Sequence, residues 1–327
     1  MKVSKVRLLG ALSLIVALQA CYKGSEFWPI KKDPVVTPKP PADTLPRPAV
    51  IVYVEVNNNS LGNMGCFVHS DNKKPVVNVA NIFAANINAT KDTKKAVVTL
   101  NPKVNYLLNK TTYVKDLQSK GIKVTLSLLN NHDGTGWSQF TTQEAADYFA
   151  RSVKATVDKY GLDGIEIDDE YAGASGNSTS IPLVIAAIRK LLPNIIIGYY
   201  LYSDSGVSVS DVLGYQYPDK KKFTDLISYG ITDYGDDPGY YTKYLPKERL
   251  FYGSQSYSVG GNATAAKSGG YGGVMLFNAN DGSNGVLSDV TKAYYGSSVT
   301  VNDPKACLQP GGGKSDPGAP DLLYIVP

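Results

Sequence analysis

The sequence predicts a single-domain α/β fold, a (β/α)8 barrel of the TIM type, over residues 49–296. Eight short runs rich in apolar, β-branched and aromatic residues recur between residues 49 and 281, and helical patterns separate most of them. This alternation is typical of a barrel in which each parallel strand is followed by a helix. A segment of about 250 residues also suits one large domain with a substantial core.

The elements follow in order along the chain. The helix before the fourth strand begins at a capping box formed by Thr141 and Glu144 and ends at Gly161. Shorter helices are predicted over residues 111–120 and 181–192. The eight strands are predicted at residues 50–57, 76–84, 123–129, 164–170, 195–202, 226–231, 250–255 and 274–278.

The first 48 residues indicate export and a surface tether. Residues 1–20 hold three basic residues, no acidic residue and an apolar run too short to span a membrane, as in a signal peptide. Residues 18–21, Leu-Gln-Ala-Cys, resemble a bacterial lipobox, so we expect Cys21 to carry a lipid in the outer membrane. The proline-rich segment 21–48 would then tether the domain at the cell surface, with a periplasm-facing orientation as the alternative. An ordinary signal peptide is the alternative.

The C-terminal composition, the cysteines, the histidines and the net charge bear on disulfides, metals and partners. Residues 297–327 form a polar tail rich in glycine and proline. Cys66 and Cys307 are two thiols in an exported chain, so a disulfide and two unpaired cysteines both remain open. With two histidines and no clustered cysteines, we expect no metal and no cofactor. The formal net charge of +4 includes three basic residues of the leader, so we expect no nucleic-acid partner. We expect a monomer.

Residues 163–170, Asp-Gly-Ile-Glu-Ile-Asp-Asp-Glu, contain the clearest functional signal. Because side chains alternate along a strand, Glu166, Asp168 and Glu170 should line one face and the isoleucines the other. Like charges this close oppose one another's ionisation, so at least one carboxyl should stay protonated near neutral pH. Glu170 ends strand four, on the side where barrel active sites form. Capping of a strand end or binding of Ca²⁺ is the alternative.

The same octapeptide resembles the signature Asp-Gly-x-Asp-x-Asp-x-Glu of family 18 glycoside hydrolases, with Glu166 where the family usually has aspartate. Other segments resemble the bacterial endo-β-N-acetylglucosaminidases of this family, the endoglycosidase H and F1 type. The likeness covers most of the predicted barrel, at residues 52–60, 82–88, 131–137 and 160–172.

The resemblance implies hydrolysis between the two core N-acetylglucosamine residues of N-glycans, on N-glycoproteins or free glycans. Glu170 would act as general acid and then as general base. Asp168 would orient the substrate's 2-acetamido group, whose oxygen replaces an enzyme nucleophile. Glu166 would belong to the substrate-binding residues. Because the first three loops resemble those of high-mannose-cutting members, we expect high-mannose or hybrid glycans to be preferred.

Aromatic and amide side chains near the strand ends are candidates for binding sugars. Barrel packing explains any one aromatic residue equally well, and turn chemistry explains the amides. The aromatic candidates for stacking are Tyr53, Phe83, Trp137, Tyr171, Tyr200 and Phe277, and the amide candidates are Asn57, Asn86, Asn131 and Asn278.

Two departures from the group affect the expected specificity. The group has a tyrosine on strand six that helps hold the acetamide, and residues 228–234 match that segment poorly. We choose Tyr229 for this role, with Tyr234 second. Leu201 stands on strand five where we expect asparagine. These changes leave the chemistry intact and put the glycan preference in question.

Two other functions are considered. A chitinase would share the acids and the mechanism, but chitinases usually have several tryptophans along the cleft. This chain has two, one of them in the tether. A non-catalytic glycan-binding protein would typically have lost the acid, whereas Glu170 is present.

Overall fold

Eight parallel strands close into a barrel in the part of the chain that this computed structural model describes, residues 45–309, 314–316, 318 and 320–327. Strand β1 pairs with both β2 and β8, and each remaining strand pairs with the next, so the predicted (β/α)8 fold is confirmed. The strands are β1 (Ala49–Glu55), β2 (Val79–Ala89), β3 (Lys123–Asn130), β4 (Gly164–Asp169), β5 (Ile196–Ser203), β6 (Tyr229–Thr232), β7 (Leu250–Ser254) and β8 (Gly273–Phe277).

Strand β2 departs most from its predicted bounds. It begins three residues later than predicted and extends to Ala89, five residues beyond the predicted end. Its second half stays paired with β3 and, beyond the residues that pair with β1, also pairs antiparallel with the strand Ala96–Leu100. The strand Leu323–Ile325, near the end of the chain, pairs antiparallel with the other edge of that strand. A short sheet therefore continues from one side of the barrel.

Helices surround most of the barrel but not all of it. The chain between β5 and β6 holds only a five-residue α-helix and a 3₁₀ turn, and the chain between β6 and β7 holds two 3₁₀ turns. These connections are consequently irregular. The α-helices are α1 (Pro102–Lys110), α2 (Tyr113–Ser119), α3 (Gln143–Tyr160), α4 (Ser180–Leu191), α5 (Val209–Leu213), α6 (Val259–Gly269), α7 (Asn284–Tyr295) and α8 (Pro304–Cys307).

Two helix predictions need correction. The helix predicted over residues 111–120 is preceded by a second one, α1, which the sequence analysis missed. Its signal was present, because Asn101 accepts hydrogen bonds from the first-turn amides and Pro102 follows it at the first helical position. Helix α3 is capped by Thr142, not by Thr141, and the Thr142 hydroxyl accepts a hydrogen bond from the amide of residue 145. It ends as predicted at Gly161, whose φ of 63° favours glycine.

The core has two layers that follow the alternation of side chains along the strands. Outward-facing residues such as Val50, Val52 and Ile165 are buried against the helices. Inward-facing residues such as Ile51, Val79 and Met275 fill the barrel interior. Side chains inside the barrel therefore have no contact with bulk water except at the open rim.

The described part of the tail is fastened to the barrel. Cys66, after β1, forms a disulfide with Cys307, which settles the pairing that the sequence left open. The strand Val299–Val301 pairs antiparallel with Phe67–His69 beside it. Residues 1–44, including the signal peptide, Cys21 and most of the tether, lie outside the described residues. Among the residues described, no helix is long and apolar enough to cross a membrane.

Candidate active site

Strand β4 carries the predicted acids into the interior of the barrel. Ile165 and Ile167 pack outward against the helices, so the residues between them point inward. Glu166 is fully buried and Asp168 is 3% exposed. Glu170 follows the end of β4 and is half-buried at the rim. The alternation therefore arranges the three acids from the barrel floor to the opening.

A cavity of about 450 Å³ opens above these acids. Asp168 and Glu170 lie on one side of it, with Glu55 and aromatic rings around the rest. Phe83 lies 5.2 Å from Phe277 and 5.9 Å from Tyr53, measured between ring centroids. The cavity is therefore a polar slot with an aromatic wall, a surface suited to the apolar faces of sugars. Its lining consists of Tyr53, Glu55, Phe83, Leu129, Asp168, Glu170, Tyr171, Tyr200, Tyr234, Met275 and Phe277.

Glu166 lies fully buried beneath the cavity and outside its lining, so its prediction as a substrate-binding residue needs correction. It forms the floor under the site and is held by hydroxyl donors. The Tyr229 hydroxyl donates to its carboxylate at 2.6 Å and the Thr125 hydroxyl at 3.0 Å. Tyr53 donates to the other oxygen at 3.4 Å. Burial raises the pKa of Glu166 to about 7, although these three hydrogen bonds lower it. Near neutral pH this carboxyl is therefore divided between its protonated and ionised forms.

Asp168 and Glu170 are both acids whose protons are retained to higher pH than usual. Burial raises the pKa of Asp168 well above its ordinary value, and the negative charges of Glu170, Asp169 and other acids raise it further. Burial also raises the pKa of Glu170, a hydrogen bond with Tyr171 lowers it, and the charge of Asp204 raises it. Both carboxyls therefore keep their protons to higher pH than an exposed acid does, which suits Glu170 at the rim to donate a proton.

Asp169, which lies out of phase with the other acids, has a structural role that the sequence analysis did not identify. It is fully buried and points away from the cavity. Its carboxylate accepts hydrogen bonds from four side chains at the ends of neighbouring strands and in the following loops. A buried carboxylate with this many donors ties those loops together. The donors are Asn130, Ser138, Ser203 and Ser205.

Two further acids at the rim also escaped the sequence analysis. The carboxylate of Asp204, just after β5, accepts a hydrogen bond of 2.7 Å from the amide of Tyr171. Asp233, just after β6, accepts a hydrogen bond from the hydroxyl of Tyr200. Their only sequence signal was that each follows a barrel strand, which is where barrel sites form. They fix the orientation of two residues that line the cavity.

The structure brings together many of the predicted site residues. Tyr53, Tyr200 and Phe277 line the cavity with Asp168 and Glu170. Of the two tyrosines considered on strand six, Tyr234 lines the cavity, whereas Tyr229 lies below it against Glu166. The choice of Tyr229 for contact with substrate therefore needs correction, because its side chain is fully buried beneath the cleft.

Other predicted binding residues lie elsewhere. Trp137 is fully buried, donates a hydrogen bond to the carbonyl of Leu128 and packs against Phe149. It is a core residue, so its prediction as a stacking residue is wrong. Asn131 donates to Asn88, and Asn278 accepts from Asn59. Neither amide lines the cavity, although Asn278 directly follows Phe277 at the rim.

A barrel with two proton-retaining carboxyls at the end of one strand, beside an aromatic slot, has the elements of a glycoside hydrolase. No metal cluster of three or more His, Cys, Asp or Glu side chains occurs in the described ranges.

Comparison with known proteins gives the family. Residues 49–237 match the profile of the glycosyl hydrolases family 18. An endo-β-N-acetylglucosaminidase of Flavobacterium sp. (strain SK1022) is 37% identical over 276 residues, which cover 78% of this chain and 83% of that protein. Endo-β-N-acetylglucosaminidase F1 of Elizabethkingia meningoseptica is 33% identical over 276 residues, 77% of this chain and 79% of that protein. The chain belongs to family 18 of the glycosyl hydrolases.

A solved structure supports the fold. The structure of EndoBT-3987 from Bacteroides thetaiotamicron, with a Man5GlcNAc product, matches this chain with a TM-score of 0.66 at 24% sequence identity. The match covers 82% of this chain and 66% of that one, so the chain spans just under two thirds of that protein's length.

We predict that Asp204→Asn shifts the alkaline limb of the pH–rate profile to lower pH. The charge of Asp204 raises the pKa of Glu170. If Glu170 is the general acid, as we propose below, hydrolysis slows as rising pH removes its proton. Without that charge the proton is lost at lower pH, while asparagine keeps an oxygen that can accept from Tyr171. Asp158→Asn, on the exposed C-terminal turn of α3, is the matched control. An unshifted limb in Asp204→Asn would contradict the prediction.

Proposed function

We propose that this protein is an endo-β-N-acetylglucosaminidase that hydrolyses the bond between the two core N-acetylglucosamine residues of N-glycans. The observation that carries the proposal is the placement of Asp168 and Glu170 together in an aromatic-walled cavity at the end of β4. Two relatives more than 30% identical over three quarters of the chain bear this activity in their names.

Substrate binding uses the aromatic wall and the buried carboxyl. The rings of Tyr53, Phe83 and Phe277 offer apolar surfaces to the faces of the sugar rings. The Oδ1 atom of Asp168 is buried and has no hydrogen-bond partner among the described residues, and Asp168 borders the cavity. It is placed to engage the amide of a 2-acetamido group bound there, with Tyr234 as a second polar contact.

The first chemical step breaks the glycosidic bond. Glu170 donates its proton to the oxygen between the two sugars, and the acetamide carbonyl oxygen attacks the anomeric carbon. The products are the substrate glycoprotein, which keeps one N-acetylglucosamine on asparagine, and the released glycan as a cyclic oxazolinium ion. Positive charge on that ion favours the ionised form of Asp168, so the interaction with Asp168 is strongest as the charge develops.

The second step restores the enzyme. Glu170, now a carboxylate, takes a proton from water, and the resulting hydroxide opens the oxazolinium ring at the anomeric carbon. The two displacements at one carbon give net retention of configuration. The half-buried rim position of Glu170 suits both steps, because burial raises its pKa and so favours the protonated acid, and the opening admits water.

The location and partners of the enzyme are part of the proposal. We infer that Cys21 carries a lipid that anchors the chain in a bacterial outer membrane, with the proline-rich segment 21–48 as a tether. The disulfide between Cys66 and Cys307 supports an oxidising compartment outside the cytoplasm. The partners are then N-glycoproteins or glycans encountered outside the cell, and the enzyme acts as a monomer.

We expect the mature chain to release glycans from a high-mannose glycoprotein and to leave one N-acetylglucosamine on asparagine. Mass spectrometry of both products identifies the cleaved bond. High-mannose or hybrid glycans should be released faster than sialylated biantennary ones, because residues 52–60, 82–88 and 131–137 resemble the loops of enzymes with that preference. Faster release of sialylated glycans would contradict the preference alone. Cleavage only of chitin oligomers would indicate a chitinase, and binding without products a glycan-binding protein.

We predict that Glu170→Gln lowers the rate constant for hydrolysis by about 10² to 10⁴ while glycan affinity is largely kept, because the amide has the same shape but cannot donate the proton. Single-turnover kinetics and calorimetric titration measure the two quantities. Glu248→Gln is the matched control, since Glu248 is exposed immediately before β7, at the opposite end of the barrel. Activity of Glu170→Gln within threefold of wild type would remove Glu170 from its role.

We predict that Asp168→Asn lowers hydrolysis of glycopeptide by about 10² to 10³, the usual effect of removing one group that stabilises developing charge. A preformed sugar oxazoline should still be hydrolysed, because it bypasses the step in which the acetamide attacks. Parallel assays with the two donors separate these steps. Normal hydrolysis of native glycoprotein by this variant would rule out the substrate-assisted mechanism.

We predict that Cys21→Ala leaves the chain without lipid and releases it from the membrane fraction, because the acyl chains are attached through that sulfur. Fractionation of cells followed by immunoblotting measures the distribution. Unchanged membrane association would indicate an ordinary signal peptide and another means of attachment.

A further inference from the structure

Gly198 on β5 lies between two residues of the site floor. In the strand registers it is the partner of Glu166 on β4 and of Tyr229 on β6. The three residues therefore form one row across neighbouring strands, where the side chains of the outer two meet. The Tyr229 hydroxyl donates to the Glu166 carboxylate at 2.6 Å.

The side chains of Glu166 and Tyr229 occupy the space that a side chain on residue 198 would fill. A Cβ atom at this position would lie 1.7 Å from Oε2 and 2.6 Å from the carboxyl carbon of Glu166. It would also lie 2.5 Å from a ring carbon of Tyr229. Gly198 has no left-handed φ angle, so an alanine could adopt the same backbone. Glycine is therefore required here for space and not for conformation.

The neighbours cannot easily give way to a methyl group. Glu166 and Tyr229 are fully buried, and the Tyr229 ring lies 5.2 Å from that of Phe251. The Glu166 carboxylate also accepts hydrogen bonds from Thr125 and Tyr53. Moving it would break these bonds or overpack the barrel interior.

We propose that Gly198 is a positioning residue, size-matched to Glu166, whose missing side chain allows a glutamate to form the floor of the site beneath Asp168. The inference rests on the proposed function for its kinetic part. A glutamate is one methylene longer than an aspartate, and the absent side chain on β5 accommodates the extra length. An aspartate at residue 166 would withdraw from this space and remove the two contacts with the Glu166 carboxyl, so that a methyl group at residue 198 would meet only the Tyr229 ring. The two positions are then coupled, because the cost of a methyl group at residue 198 depends on the length of the side chain at residue 166.

The test uses the mature chain with three variants: Gly198→Ala, Glu166→Asp and the two combined. Gly198→Ala should lower kcat by about 10- to 100-fold with little change in KM, since a displacement of about 1 Å in a supporting group has effects of this size. It should also shift the pH–rate profile, because a displaced carboxylate loses hydrogen bonds that lower the pKa of Glu166, a group that titrates near neutral pH. Glu166→Asp should likewise be slow. The double variant should be faster than Gly198→Ala, because the shorter side chain relieves the closest contact, and its pH–rate profile should return toward that of wild type.

A methyl group added elsewhere provides the control. Gly261, exposed within α6, has no atom within 4 Å of an added Cβ, so Gly261→Ala should match wild type in kcat and pH–rate profile. Wild-type kcat in Gly198→Ala, or kcat values that combine multiplicatively in the double variant, would overturn the inference.

Urea unfolding of the wild type, the two single variants and the double variant gives a second readout that does not depend on activity. Additive unfolding free energies would also overturn the inference. If the two substitutions have non-additive effects on the unfolding free energy but the wild-type chain cleaves no N-glycan, only the proposed function is contradicted.

Discussion

The burial of three carboxyl groups along one face of β4 is the constraint on which the rest of the site depends. Burying a carboxyl group in a barrel interior costs free energy unless the group is protonated or accepts hydrogen bonds. Each acid of β4 meets this constraint differently: Glu166 by hydroxyl donors and a pKa of about 7, Asp168 by a raised pKa, and Glu170 by partial exposure. These different environments along one strand suit the separate roles proposed for the three acids: a buried supporting group, an acid that contacts the acetamide and a proton donor.

The neighbouring strands supply the hydrogen-bond donors and the space that the buried carboxyl groups need. Strands β1, β3 and β6 direct Tyr53, Thr125 and Tyr229 at Glu166, while β5 contributes a glycine that leaves room for it. The out-of-phase Asp169 points the other way and gathers donors from the loops after β3 and β5. One strand therefore organises both the catalytic cleft and the loops at its rim, since alternate residues serve opposite faces.

The loops after β5 and β6 are irregular connections that reach the rim of the cavity. They contain one short helix and 3₁₀ turns in place of full helices, yet they supply Asp204, Asp233 and Tyr234 to the rim. Loop residues of a barrel can change without disturbing the strand-borne acids. Substitutions in these two loops are therefore expected to alter the glycan preference that the first three loops suggest, while the chemistry proposed for β4 is kept.

The sequence by itself determined the barrel, the order of its strands and the inward face of β4, because periodicity of two and capping signals are local properties of the chain. It also indicated Asp168 and Glu170. Only the tertiary structure decided that Trp137 belongs to the core, that Tyr234 rather than Tyr229 borders the cavity, and that Cys66 pairs with Cys307. The contacts of Asp204 and Gly198 likewise join residues far apart in sequence. Such contacts depend on how the strands pack around a closed barrel, and no local sequence pattern shows which distant residues come together.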